Sequence, residues 1–312
     1  MNSEWIAVMG SFVADLAFRA ERIPVWGETL MGQAFQLGPG GKGSNQAVAA
    51  ARAGGKVSFI SKLGTDAFGD LARSLYRAEG IDTSFVYSTE SATGAAAILV
   101  AAQKGENAII VVPGACFELT EEEVDQARAR IAAARIFVAQ LELPVPVVCH
   151  GLQMAHEMGV PTILNPAPAA LLPASIYPLV DYITPNESET EALTGIAVHS
   201  PESAATAADR LLARGVRNVI ITLGAQGAFI KNEKTSVLVP AVDAGKAVET
   251  TGAGDAFNGA LAVALVEGMN LPDAVRFACT AAGISITRPG TAPSMPTRSE
   301  IDALRDRLAQ SR

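Results

Sequence analysis

Cysteine and histidine are scarce in this chain. Three cysteines, Cys116, Cys149 and Cys279, are spread over 312 residues without a C-x-x-C pair. An odd number so placed offers no disulfide framework and no zinc knuckle; such thiols behave as small apolar residues in a reducing compartment. Of the three histidines, His150 and His156 stand six apart, which is not the one-face spacing of a metal pair, and His199 adjoins a Ser-Pro turn. They read as surface or packing residues. With no G-x-S-x-G elbow either, neither a zinc hydrolase nor a Ser-His-Asp hydrolase is indicated.

Long apolar runs are missing as well. No stretch reaches the ~18 residues of a membrane span, and the longest are broken by Pro144, Pro146 or Glu267. The first ten residues carry Glu4 and no basic segment of the signal-peptide kind, so a soluble cytoplasmic protein without membrane contact is expected. Basic residues are outnumbered 24 to 32, and the net charge of −8 weighs against a broad grip on nucleic acid or anionic lipid. What is present is ordinary globular composition, 49% hydrophobic and 18% charged. A chain of this length buries roughly 75% of its unfolded surface and needs no staple.

Short apolar runs (Ile6–Met9, Val57–Ser61, Ile136–Val138, Thr162–Leu164, Val219–Thr222) alternate with segments of helical period (Asn45–Ala53, Phe68–Ala78, Glu121–Ala134, Val147–Met158, Ala204–Ala213). Strands that are apolar on both faces and separated by helices predict a parallel sheet covered on both sides. Three further helices are predicted at Ala256–Glu267, Pro272–Ala282 and Ser299–Leu308. Two regions break the pattern. Residues 12–37 hold an extended stretch at Thr29–Phe35, and residues 94–113 hold two β-rich runs, Ala95–Ala101 and Ala108–Val112, joined by a polar turn at Gln103–Asn107. Together they predict a small β-sheet inserted into a single α/β domain spanning 1–312, placed as a lid over a site.

Two glycine-rich segments carry the chemistry. Gly38–Asn45 contains G-x-G-x-x-G, but no buried strand precedes it and no acidic residue follows at the dinucleotide distance; nor does a P-loop Lys-Ser or Lys-Thr end it. It reads either as a flexible loop or as a bare backbone opening a helix at about Ser44, with Lys42 and Asn45 facing a polyhydroxylated ligand. The second, Thr250–Gly259, places small residues at a helix N-terminus, where unpaired N–H groups form an anion site. Asp255 there is either an N-cap or a base beside a transferring phosphoryl group.

Gly40–Ala53 (GGKGSNQAVAAARA) and Glu249–Ala260 (ETTGAGDAFNGA) resemble the two signature segments of the ribokinase (PfkB) family of carbohydrate kinases. Gln140–Glu142, Asn165–Pro168, Thr184–Glu189 and Ile221–Gly224 extend the resemblance, in order and spacing, over essentially the whole chain. It implies a three-layer α/β sandwich with a central, mainly parallel sheet and an inserted β-sheet lid. It also implies an ATP-dependent kinase acting on the O5 hydroxyl of a pentose, D-ribose first. By resemblance, Asp15, Gly41, Lys42, Gly43, Asn45 and Glu142 bind the sugar, Asp255 is the base, and Gly252, Ala253 and Gly254 form the anion hole. Asn186 and Glu189 correspond to the pair that orients Mg·ATP through water. The nucleotide corresponds to Thr222, Gly224 and Gly227, with Gly254 and Cys279 nearby. Lids of this family pair, so a homodimer is expected on resemblance.

Two positions depart from the family pattern. Val13 stands where an asparagine usually contacts the sugar; a hydroxyl left unpaired there costs about 1–3 kcal/mol, which makes a pentose lacking one, such as 2-deoxyribose, a competitor. Glu249 replaces an aspartate that ligates an activating monovalent cation, K⁺, whose other ligands would come from Thr251, Ser285, Arg288, Gly290 and Ser294. A nucleoside kinase of the same fold, a nicotinamide dehydrogenase and a non-catalytic sugar sensor are the rivals; an intact Asp255 beside an anion site speaks against the last.

Overall fold

The continuous apolar runs become strands buried on both faces, and the segments of helical period become the layers that bury them. The computed structural model describes residues 4–101 and 107–310, so the turn read at Gln103–Asn107 lies, except for Asn107, outside the described residues. The strands are β1 (Trp5–Met9), β2 (Val13–Ala20), β3 (Ala34–Gly40), β4 (Lys56–Gly64), β5 (Asp82–Thr89), β6 (Thr93–Ala101), β7 (Asn107–Gly114), β8 (Ala134–Ala139), β9 (Thr162–Leu164), β10 (Tyr182–Ile183), β11 (Asn218–Thr222), β12 (Ala228–Lys231) and β13 (Ser236–Val239). The helices are α1 (Lys42–Arg52), α2 (Ala67–Ala78), α3 (Glu121–Gln126), α4 (Arg128–Ala132), α5 (Val145–Glu157), α6 (Glu187–Thr194), α7 (Pro201–Ala213), α8 (Ala253–Val266), α9 (Leu271–Ser285) and α10 (Arg298–Gln310).

Nine strands form one sheet in the order β13-β12-β11-β10-β9-β8-β1-β4-β5, parallel from β11 to β5, with β12 and β13 added antiparallel at one edge. Alternate residues point to opposite faces. Ile6 and Val8 of β1 and Ile136 and Val138 of β8 enter a core shared with α1, α8 and α9, whereas Ala7, Met9, Phe137 and Ala139 enter a second core under α5 and α7. The result is the expected three-layer α/β sandwich. Among the described residues no helix is long and apolar enough to cross a membrane, and all three cysteines are free thiols.

The other four strands form a separate sheet, β3-β2-β6-β7, in which β2 and β6 run parallel and the outer pairs antiparallel. It is built from the two regions that broke the helical pattern, with altered limits. Thr29–Phe35 is largely irregular; the strand starts at Ala34 and runs on through Gly38-Pro39-Gly40, which pairs residue by residue with Val13–Asp15. Pro39 is tolerated because β3 lies at the sheet edge, where its missing N–H breaks no ladder bond. Ile109, Ile110, Val111 and Val112 of the edge strand β7 are each more than half exposed.

Two helices also differ from expectation. The predicted helix Glu121–Ala134 is split into α3 and α4 at Ala127, and Ala134 already belongs to β8. Helix α1 begins at Lys42, two residues before Ser44, because Gly41 turns the chain at φ 84° and caps it.

Candidate active site

The polar residues of interest collect where the parallel strands end, the side of an open α/β sheet on which ligands bind. Ser11 follows β1, Gln140 and Glu142 follow β8, Asn165 follows β9, Thr184 and Asn186 follow β10, and Thr222 ends β11. Helix α1 is drawn against the end of β1 at its second residue: a Cβ on Gly43 would lie 2.5 Å from Cα of Gly10, so only glycine permits the approach. That approach sets Asn45 and Gln46 beside the N-terminus of α8.

Asp255 sits at the third position of α8, whose N-cap is Gly252. It is therefore not the cap. Its carboxylate, 5% exposed, accepts from Asn45 Nδ2 at Oδ2 and from Gln46 Nε2 at Oδ1, both at 3.0 Å. Burial pushes its pKa above the usual carboxylate range, opposed by the Lys42 charge and by the two amide hydrogen bonds. A carboxylate so placed is more basic than a solvated one and still has an ammonium beside it. Burial works against the charge of Lys42 in turn, but Asp255, Glu142 and Glu189 outweigh it and raise the lysine above its ordinary value. The Lys42 N–H donates to Glu142 Oε2 at 2.8 Å, and the Ser11 hydroxyl to the same oxygen at 2.5 Å. Asn45 Oδ1 is buried without a hydrogen-bond partner among the described residues, an acceptor left for a ligand hydroxyl.

Asp15 projects from β2 on the same face as Val13, which is buried. Its pKa is raised to about 6 by burial, with the Thr291 hydroxyl pulling the other way and the charges of Glu142, Glu249 and Asp255 adding to the rise. Thr291 shares its hydroxyl between Asp15 Oδ2 (3.3 Å) and the Pro39 carbonyl (2.9 Å), so the 290–294 segment, the second sheet and Asp15 meet at one side chain.

Of the residues expected to form the anion hole, Gly254 is exposed, and a Cβ built there meets nothing within 4 Å: the N-terminus of α8 opens onto free space. The Ala253 N–H is not part of that opening, because it donates to the Thr250 carbonyl at 3.2 Å. Asn186 and Glu189 form a reciprocal capping box for α6: Asn186 Oδ1 accepts from the Glu189 N–H (2.8 Å) and Glu189 Oε2 from the Asn186 N–H (2.9 Å). That uses Oε2 and leaves Oε1. Thr222 lies beside Pro185, its N–H donating to that carbonyl at 2.9 Å, and Gly224 and Gly227 turn the chain between β11 and β12 with φ of 50° and 108°. Cys279, a residue of α9, faces the core, its thiol pushed up to about 12 by burial.

The proposed cation residues gather only in part. Glu249 Oε2 accepts from the Gly290 N–H at 2.8 Å, and its own N–H donates to the Ile286 carbonyl. The Ser285 and Ser294 hydroxyls donate to carbonyls of Ala282 and Thr291, and the Arg288 guanidinium pairs with Glu300. What Ser285, Arg288 and Ser294 retain for a cation is chiefly backbone carbonyl. Thr251 lies on the exposed turn before α8.

Nothing in the sequence assigns a role to Thr291, and Gln46, Asn258, Gln140, Asn165 and Thr184 stand in it only as motif letters. The last three share a legible signal: a lone polar residue directly after a buried apolar strand points into the site side of a parallel sheet.

A buried carboxylate under the influence of the Lys42 charge at an open helix N-terminus suits the transfer of a phosphoryl group to a hydroxyl, and with the carboxylates of Asp15 and Glu142 close enough to act on it the arrangement is that expected of a carbohydrate kinase. Residues 3–298 match the pfkB family of carbohydrate kinases; the chain belongs to this family and is a phosphotransferase with an alcohol acceptor. It is 41% identical over 295 residues to a ribokinase of Haemophilus influenzae, covering 95% of this chain and 96% of that protein. To a deoxyribokinase of Salmonella typhi it is 36% identical over 298 residues, covering 95% and 97%. The structure of Arabidopsis thaliana ribokinase complexed with ribose and ATP superimposes with a TM-score of 0.90 at 30% identity, over 97% of this chain and 99% of that one.

Proposed function

We propose that the protein transfers the γ-phosphate of ATP to O5 of D-ribose, giving ribose 5-phosphate. The observation that carries this is the Asp255 carboxylate, buried at the N-terminus of α8 and held by Asn45 and Gln46 beside Lys42. Asp255 takes the proton of the attacking hydroxyl. Asp15, Glu142 and the unpaired Asn45 Oδ1 bind the remaining hydroxyls and fix O5 in line. The N-terminal amides of α8 at Gly252 and Gly254 stabilise the charge that develops on the transferring group. The nucleotide lies along Thr222, Gly224 and Gly227 towards Cys279.

Glu189 fits a role towards Mg²⁺ because Oε1 is left outside the capping box, and among the described residues no group of three His, Cys, Asp or Glu could hold a metal by itself. A magnesium ion bound this way relies on substrate phosphates and water, and when bound neutralises phosphate charge. The second sheet acts as the lid of the one domain and excludes water from the sugar. Its apolar edge strand β7 would pair with that of a second copy, which supports a homodimer. The protein is read as cytoplasmic.

A second reading, phosphorylation of 2-deoxyribose, is favoured by Val13: a buried isopropyl group beside Asp15 offers a sugar hydroxyl no partner. The test is kcat/KM for ribose against 2-deoxyribose, in the wild type and in Val13→Asn. A restored hydrogen bond to a sugar hydroxyl is expected to shift the ratio about tenfold towards ribose. A ratio unmoved by the substitution would remove Val13 from specificity, and 2-deoxyribose leading in the wild type would replace the first reading by the second.

For the monovalent cation, Glu249 with the carbonyls of Thr251, Ser285, Arg288, Gly290 and Ser294 is taken as the site. Activity is expected to rise on titration with K⁺ and less with Na⁺, and Glu249→Ala to flatten that response. A response flat in the wild type would take the cation out of the mechanism.

A further inference from the structure

We propose that Gln46 is the positioning residue of the active site, holding the Asp255 carboxylate in the one orientation from which it meets the substrate hydroxyl. The inference rests on Asp255 being the base. Gln46 is fully buried, one residue beyond Asn45, and its amide is committed to Asn165, Asp255 and Gln140 and not to a ligand.

Its orientation is dictated from outside. Asn165 donates Nδ2 to the Thr184 carbonyl at 3.0 Å, an atom that can only accept, so Asn165 must turn its Oδ1 the other way. Gln46 answers with its NH₂: one proton goes to Asn165 Oδ1 and the other to Asp255 Oδ1, each at 3.0 Å. Behind it, Gln140 Nε2 donates to Gln46 Oε1 at 2.8 Å. Reversing the Gln46 amide would set its oxygen against Asn165 Oδ1 and Asp255 Oδ1 and its NH₂ against that of Gln140. Every contact would become repulsive. The network also closes on the base from the other side. The Thr184 hydroxyl donates to Asn258 Oδ1 (2.6 Å), and Asn258 Nδ2 donates to the carbonyl of Gly254, the residue before Asp255 (2.8 Å).

Gln46, Gln140, Asn165, Thr184 and Asn258 are all at most 6% exposed. Burying five polar side chains is costly unless they are paired; of their polar atoms only Gln140 Oε1 lacks a partner among the described residues, and every polar side-chain atom of Gln46, Asn165, Thr184 and Asn258 has one, which fixes their geometry. Its outlet is the carboxylate. The charged groups that act on Asp255 are Lys42, Glu142, Glu189 and Asp15. With the Gln46 amide removed, Lys42 and Asn45 alone offset burial and the three acids, so the base protonates more readily.

The experiment is ADP release from Mg·ATP and ribose, with kcat, both KM values and the pH profile of kcat, in the wild type, Asp255→Ala, Gln46→Met, Gln46→Glu and Gln140→Met. Loss of a hydrogen bond to a charged group predicts a kcat for Gln46→Met about 10- to 100-fold lower, with both KM values within about threefold of wild type. The acid limb of kcat moves to higher pH. Gln46→Glu keeps the shape but sets two carboxyl groups face to face, and moves that limb further. Gln140→Met touches only Gln46 Oε1 and gives a smaller displacement in the same direction; it carries the test if melting curves show that Gln46 variants do not fold. A purely structural glutamine would change stability and leave the pH limb in place. If Asp255→Ala is inactive while Gln46→Met and Gln140→Met keep the wild-type kcat and acid limb, this inference falls alone. An active Asp255→Ala overturns it together with the assignment of the base.

Discussion

Asp255→Ala is expected to lower kcat by about 10²- to 10⁴-fold, the range that positioned proton transfer contributes, while ribose and ATP bind within severalfold of wild type. The split follows from where the residue lies. Asp255 belongs to the first turn of α8, and its two hydrogen bonds go to Asn45 and Gln46 rather than to backbone that shapes the cleft. In the proposed mechanism, removing the carboxylate leaves Asp15, Glu142 and the open end of α8 to bind substrates. What it takes away is the group that accepts the proton. Rapid-mix kinetics together with equilibrium sugar binding check this; a variant that loses affinity and kcat in equal measure would make Asp255 a binding residue.

Asp15→Ala is expected to lower kcat/KM for the sugar by about 10²- to 10³-fold, the loss of charge-assisted hydrogen bonds to one or two hydroxyls, with most of the change in KM. The wild type should show a matching pH dependence. Burial raises the Asp15 pKa to about 6, so the carboxylate needed to accept from hydroxyls is lost as pH falls through that value, and the sugar KM rises. In Asp15→Asn the KM is high throughout, and this pH dependence disappears. Stability runs the opposite way. The native state holds the Asp15 proton with a pKa of about 6 against an ordinary 3.8, so Asp15 favours the fold when protonated. That contribution is present below about 3.8 and is lost as pH rises towards 6, and Asp15→Asn should therefore raise Tm at pH 7. A variant both weaker in sugar binding and less stable at pH 7 would contradict this account of the residue.

The layers of the main sheet were legible because its strands are apolar on both faces; Ile6–Met9 and Val219–Thr222 stand out from any window. The two glycine-rich segments were legible for a different reason: each is contiguous, so loop, helix start and charged residue appear in one line of sequence. The second sheet was placed but misbounded. Its β3 strand uses Gly38-Pro39-Gly40, residues that signal a turn anywhere except beside a partner such as Val13–Asp15 at a sheet edge. Two site details were decided only by the structure: Asp255 was open to two readings, and Ala253 was expected in the anion hole. Asp255 is the third residue of its helix and not the cap, and Ala253 spends its N–H on Thr250. Hardest to see were Gln46 and Thr291. Their partners lie 94, 119 and 209 residues away from Gln46 and 252 and 276 away from Thr291, and nothing local sets a buried glutamine or threonine apart from its neighbours.

The most direct test of the central claim is to incubate the protein with Mg·ATP and ribose and follow ADP together with the ³¹P spectrum of the sugar. The account predicts one phosphate monoester on C5 of the pentose for each ADP formed, no ADP without sugar, and loss of both signals in Asp255→Ala. Ribose or 2-deoxyribose that binds in the cleft while no ADP appears would contradict it and leave a sugar-binding protein in place of a kinase.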